Sequence, residues 1–211
     1  MERTKLLTLG GVLAGVAGLW TAWGVYARTT AAPVPYTTLD EFEGVELREY
    51  PDLVAVETTA GGDVEAFRRL YDYISGGNRR AEDVAMTAPV ATADAGEDGT
   101  DVPMTAPVAT SESEDGVTMR FYLPGTYTIE SAPEPTNDSV ELVRIEAHRA
   151  AVVPFGWYAT DRRIEHAGQH LLDTLAAYGI DTVGSPYLLR YNDPWTPPWM
   201  RRNEVVVDVE T

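Results

Sequence analysis

Apolar and polar positions alternate through Val45–Tyr50 (VELREY), and after Pro51-Asp52 a second β-rich run covers 53–59. Period-two alternation marks the first as a half-buried strand, and its β-rich composition marks the second as another. Asp63 can then cap a helix whose apolar residues Val64, Phe67, Leu70, Tyr71 and Ile74 follow the helical period, and Gly76-Gly77-Asn78 stops it. Strands are predicted at 83–90 and 117–123. The tripeptide Val45-Glu46-Leu47 returns as Val140-Glu141-Leu142 and opens a second series. A strand pair runs on through Val153 and Trp157. Asp161 can cap a second helix with Ile164, Ala167, Leu171, Leu175 and Tyr178 on one face, Gly179 ends it, and strands follow at 187–191 and 204–209. The layout of a strand pair, a helix and two strands is used twice. It predicts an α+β domain whose helices cover a sheet, with its halves related by a pseudo-two-fold axis and a ligand cleft between them.

A second repeat is exact: MTAPVAT occupies 86–92 and again 104–110, separated by a small, acidic, Gly-containing loop. Either the copies pair as a hairpin or one is an insertion; the pattern allows both. Asp94, Asp98 and Gly99 have calcium-loop residue types, but the spacing is wrong and Thr105 stands where a bidentate Glu is needed.

The run 6–27 holds no charged residue, follows Arg3 and Lys5, and carries Trp20, Trp23 and Tyr26 near one end. About 20 apolar residues cross a bilayer, and aromatic residues gather at its interfaces. Residues 1–28 therefore read as a single-pass membrane anchor, or a signal segment cleaved near Val25-Tyr26-Ala27. Residues 29–36 form a Pro-containing linker, and 37–211 a folded domain. The basic residues before the span place that domain outside the cell membrane, where Asn137-Asp138-Ser139 is a reachable glycosylation sequon.

The chain has 211 residues, 33 acidic and 16 basic, no Cys, and a net charge of −17. Disulfides, thiolate metal sites and Cys nucleophiles are excluded. The charge argues against a nucleic-acid partner, since phosphate is repelled. Lys5 is the one lysine. An acid-rich, Lys-poor surface suits concentrated salt, where the Debye length falls to about 3 Å, and a halophilic source is the expectation.

The motifs Gly76-Gly77-Asn78, Val84-Ala85-Met86-Thr87-Ala88-Pro89-Val90, Phe121-Tyr122-Leu123-Pro124 and the closing Arg190-Tyr191-Asn192-Asp193-Pro194-Trp195-Thr196-Pro197-Pro198-Trp199-Met200-Arg201-Arg202-Asn203-Glu204-Val205 occur in this order. Together they resemble the SOUL haem-binding protein family, from about Tyr36 to Val209. The resemblance implies a distorted antiparallel β-barrel of about eight strands in two pseudo-symmetric halves, flanked by two helices. It also implies similarity to gyrase-inhibitor-like effector-binding domains, and a hydrophobic cleft near the first helix that binds haem or another tetrapyrrole. The anchor and the doubled MTAPVAT depart from the family pattern.

Three His are available as axial ligands. His148 lies in a strand-like stretch. His166 and His170 sit four apart on the second helix; at about 100° per residue His166 falls nearly opposite the apolar stripe and His170 to its side, so both read first as solvated residues, with His170 the axial candidate. Haem can otherwise be held by burial of its ring and by Arg on its propionates. The first helix offers Phe67, Leu70, Tyr71 and Ile74 beside Arg68 and Arg69, against a plain reading as core and surface charge. Met86 and Met104 either touch a macrocycle or fill the core. Trp195 and Trp199, in a segment too proline-rich for regular structure, either wall a pocket or plug the domain's end. No Ser-His-Asp order or paired-carboxylate motif marks an active site. Glu204, Tyr122 and Tyr191 would serve a small-molecule hydrolase, the alternative function, only if they met in one cleft.

Overall fold

The computed structural model describes Thr21, residues 32–79, Thr100, Val102 and residues 105–113, 116–192 and 196–210. The apolar run apart from Thr21, the predicted strand 83–90, the first MTAPVAT copy, Met86, Met104 and Trp195 lie outside the described residues. No helix among the described residues is long and apolar enough to cross a membrane.

The elements in chain order are β1 (Ala32–Pro33), β2 (Thr37–Phe42), β3 (Val45–Tyr50), β4 (Leu53–Ala60), α1 (Asp63–Ile74), β5 (Asn78–Arg79), β6 (Thr105–Ala106), β7 (Val108–Ser113), β8 (Gly116–Tyr122), β9 (Glu134–Pro135), β10 (Glu141–Ile145), β11 (His148–Gly156), α2 (Asp161–Tyr178), β12 (Thr182–Arg190), a 3₁₀ turn (Pro198–Met200) and β13 (Arg202–Val209). Both helices start at the aspartates expected to cap them. The caps themselves are Gly62 and Thr160, and neither makes a side-chain capping bond. Asp63 and Asp161 instead place a carboxylate in the first turn, where the helix dipole favours it. Gly179 closes α2 at φ 69°, a left-handed conformation that glycine adopts without strain.

The main sheet has nine strands in the order β10-β4-β8-β7-β12-β13-β11-β3-β2, and every neighbouring pair is antiparallel. Matching β3, β4, β7 and β8 to β10, β11, β12 and β13 turns the first eight strands of this order into their own reverse. The two expected halves are therefore real, and the axis relating them passes between β7 and β12. Each half gives its opening strand to the other: β3 pairs with β11, and β10 with β4.

The expected barrel is not formed. The sheet ends at β10 and β2, which do not pair with each other. β2 explains why on its side: five of its six residues are exposed, Asp40 and Glu41 among them, and a charged edge resists further pairing. Two strands of the main sheet escaped prediction. β2 has no clear alternation, and β7 is built from the second MTAPVAT copy, which stands in mid-sheet between β8 and β12.

Alternation sorts the side chains into two layers. On one face α1 packs on β4 and β8, burying Val56, Ala66, Leu70, Tyr73, Met119 and Phe121. On the same face α2 packs on β11 and β13, burying Ala151, Leu171, Leu175, Val205 and Val207. The opposite face carries a third cluster, in which Tyr50, Ala55, Tyr122, Val152 and Val206 pack with Val34. Val34 is held by its N–H, which donates to the Ala106 carbonyl (3.0 Å).

Candidate functional site

The α1 residues separate into two groups. Leu70 and Ile74 are core, at 0% and 7% exposure. Phe67 and Tyr71 are exposed and stack on each other (5.9 Å, 17° between planes), and Phe67 also meets Phe121 edge-on (5.5 Å). Arg68 is exposed. Arg69 bonds to Glu65 (2.5 Å) and donates to the Thr59 carbonyl (3.0 Å), fixing α1 to the end of β4. Trp199 is also exposed, but its 3₁₀ turn packs on β11, in the other half of the domain.

A cleft of about 560 Å³ opens where β11 outruns its partner β3 and α2 crosses above. Ligand pockets typically span about 300–1,000 Å³. Its apolar wall is Val153, Pro154, Phe155 and Trp157, and its polar wall is Arg162, Arg163, His166 and His170 of α2. His166 and His170 thus face a cleft rather than bulk solvent alone, because the end of β11 and the following turn rise beside the helix. In a chain of net charge −17, two arginines and two histidines gather here, with Asp161 and Glu165 the nearby acids on the helix.

One wall of this cleft is held in a costly conformation, at Trp157. Among the described residues the non-glycine residues with positive φ are Glu43 (50°) and Trp157 (71°). Glu43 shares the two-residue β2–β3 turn with Gly44 (79°), where positive φ is the usual geometry, whereas a bulky residue such as Trp157 is an outlier whose strain costs about 1–3 kcal/mol. Trp157 lines the cleft and is 52% exposed, and its carbonyl accepts from Asn203 Nδ2 (2.9 Å). The carbonyl of Glu43, in the β2–β3 turn, accepts from His170 Nε2 (3.0 Å). Arg163 donates to the Gly156 carbonyl (3.0 Å), and Arg201 covers the Tyr158 ring (4.5 Å). The turn 157–160 is therefore pinned from both sides.

The space between the two halves, where the sequence places a ligand, is filled. Tyr50, Tyr122, Tyr187, Tyr191 and His148 leave about 10 Å³, room for about one water. Beneath them Arg48 (β3) grips Glu204 (β13) through two bonds of 2.9 and 3.0 Å, with both side chains fully buried. Arg202 (2.5 Å) and the Tyr191 hydroxyl (2.6 Å) also bond Glu204, and Arg48 stacks on Tyr36 (4.2 Å). Burial alone would raise the Glu204 carboxyl, but Arg48, Tyr191 and Arg202 outweigh it and hold it below the usual carboxylate range. Burial pushes the Tyr50 hydroxyl up to about 12 and raises those of Tyr122, Tyr187 and Tyr191 as well. Glu204 and Tyr191 do meet, as a hydrolase would require, but their charges and hydroxyls are spent on each other and on arginine. Tyr122 lines the small residual space.

Periodicity did not reveal Phe155, Trp157, Arg162 and Arg163 as lining residues, because the cleft depends on β11 extending past β3. The aromatic pair Phe155 and Trp157 just before a helix start was the available signal.

An open antiparallel sheet built from two strand-exchanged halves, each carrying one helix on the same face, defines the architectural class. The model of the SOUL heme-binding protein family matches residues 31–208, and the chain belongs to that family. Its fold is shared with a hydrolase from Listeria innocua (13% identity, TM-score 0.55, covering 82% of this chain and 94% of that one). A second Listeria innocua hydrolase structure is similar (15%, 0.52, 82% and 94%). The EcmrR C-terminal domain is another (13%, 0.51, 83% and 98%). At these identities the likeness is one of fold. No curated protein matches the sequence.

Proposed function

We propose that this protein binds haem or a related tetrapyrrole in the cleft between β11, the turn 157–160 and α2, and so carries or buffers it. The observation that carries the reading is the coincidence of this roughly 560 Å³ cleft with the strained residue Trp157 on its wall. Strain kept at a cavity wall is what a preformed binding site retains. Family membership supplies the ligand class. The residues suit it: Phe155 and Trp157 offer flat apolar surface to a macrocycle, Arg162 and Arg163 suit its carboxylates through charge-assisted bonds, and imidazoles stand beside them. Bound haem would supply an iron centre with axial positions. The chain's own part is to bury the ring, orient it by its carboxylates and exclude water from one face. In the same reading the run 6–27 tethers the domain to the cell membrane, with the domain outside.

The test is a haemin titration of the full chain in detergent and high salt, followed by Soret absorbance. A saturable one-to-one shift is expected. Trp157→Ala should weaken it by about tenfold or more, which is about 1.4 kcal/mol, while the α1 pair Phe67→Ala/Tyr71→Ala should leave it unchanged. Absence of a shift in the folded protein overturns the function. Loss of binding in the α1 variant but not in Trp157→Ala overturns the location.

A further inference from the structure

Within that cleft the two histidines are not equivalent, and we infer that His166 is the axial ligand while His170 is a positioning residue. The inference rests on the proposed haem reading. His166 and His170 are one helical turn apart on α2 and both line the cleft. His170 already uses Nε2 on the Glu43 carbonyl, 3.0 Å away, and is half-buried. A ring nitrogen that donates to a carbonyl has no lone pair for iron. Its remaining nitrogen, Nδ1, keeps a lone pair but lies next to the ring carbon that carries Cβ, where the residue's own backbone crowds a macrocycle. His166 is exposed on the same wall and forms no hydrogen bond among the described residues. Both its nitrogens are therefore open, and a neutral imidazole can give a lone pair to iron with no proton lost. The bond of His170 ties α2 to the turn that holds Glu43 at positive φ, and so keeps the cleft's width.

The third histidine is the internal control. His148 stacks on Tyr50 (5.2 Å, 14°) on the opposite face of the sheet, and its Nδ1 contacts the Glu146 carbonyl (2.8 Å).

The experiment compares haemin complexes of the full-length wild type, His166→Ala, His170→Gln and His148→Ala by Soret absorbance and electron paramagnetic resonance. His166→Ala should still bind haemin, with a weaker affinity and a shifted Soret band, and added imidazole should restore the wild-type spectrum. His170→Gln, which keeps an N–H donor for Glu43, should weaken haemin affinity without moving the Soret band, and His148→Ala, on the opposite face of the sheet, should keep both the wild-type affinity and spectrum. Two results overturn the assignment while leaving the haem reading intact: an unchanged spectrum in His166→Ala, or a shift confined to His170→Gln or His148→Ala. A wild type that binds no haemin removes the haem reading itself. His166 is exposed, so circular dichroism of its variant should match wild type and exclude misfolding as the cause.

Discussion

Replacing Glu204 by Gln tests the buried contact that joins the two halves. The side chain keeps its size and loses its charge. Arg48, with 0% of its side chain exposed, is then left with Glu46 (2.8 Å) as its ionic partner. Removing one member of a buried pair costs about 3–5 kcal/mol, because the other stays behind as an uncompensated charge. At about 2–4 °C per kcal/mol for a domain of this size, the melting temperature should fall by roughly 6–20 °C. Arg48→Met should cost less, since Glu204 retains Arg202 at 2.5 Å and Tyr191 at 2.6 Å. The double variant should be more stable than the sum of the single losses by about 1 kcal/mol or more, the coupling expected of residues in one network. Urea unfolding followed by tryptophan fluorescence measures all four proteins. The pH dependence gives a second check. A carboxyl held below its ordinary 4.5 contributes stability that is complete above that value and lost as pH falls through its lower folded value. Glu204→Gln should therefore flatten the acid limb of the stability profile. An E204Q protein within about 1 kcal/mol of wild type, with an unchanged acid limb, would refute this account of the pair.

Glu43→Gly should stabilise the fold by about 0.5–1 kcal/mol, because glycine accepts φ 50° without strain and the carbonyl bonded to His170 is kept; a loss of stability in urea would show that the turn is unstrained. The buried phenols of Tyr50, Tyr122, Tyr187 and Tyr191 have raised values, that of Tyr50 about 12, so the unfolded chain releases their protons from about pH 10 while the folded one keeps them. Stability should fall as pH rises from about 10 to 12, and phenolate absorbance should appear in a steep step coincident with loss of circular dichroism; smooth ionisation near pH 10 in an intact fold would contradict it. With a net charge of −17, the protein should unfold on dialysis from molar salt to about 0.1 M, and circular dichroism that stays constant over that range counts against a halophilic surface.

Both helices were legible in the sequence to their last residues, since Leu70 and Ile74, or Leu171 and Leu175, repeat at the period of a buried stripe. β3 was legible from its period of two, and β4, β8, β11 and β13 from their runs of β-branched and aromatic residues. β7 was not, because TAPVAT has no apolar alternation and looks like its own copy elsewhere in the chain. Strand order was beyond reach: nothing in VELREY says that its partner is β11 rather than its neighbour in sequence, β4. That exchange decides where space remains. It brings Arg48 onto Glu204 and closes the middle of the domain, and it leaves the end of β11 uncovered beside α2. The candidate residues were accordingly sought on the first helix, whereas the cleft of about 560 Å³ lies against the second. His166 and His170 were noticed for their spacing, but a helical wheel cannot show what stands opposite a polar face.

Because β3 and β10 are traded between the repeats, a chain cut near residue 139 yields two pieces that each lack a border strand and own a surplus one. Neither fragment should hold its shape in isolation, yet mixing the two should rebuild the native assembly. Two intact molecules brought together during refolding have the same option, with each lending its β3 to the other. A reciprocal dimer is therefore the characteristic error to look for when this chain is renatured at high concentration.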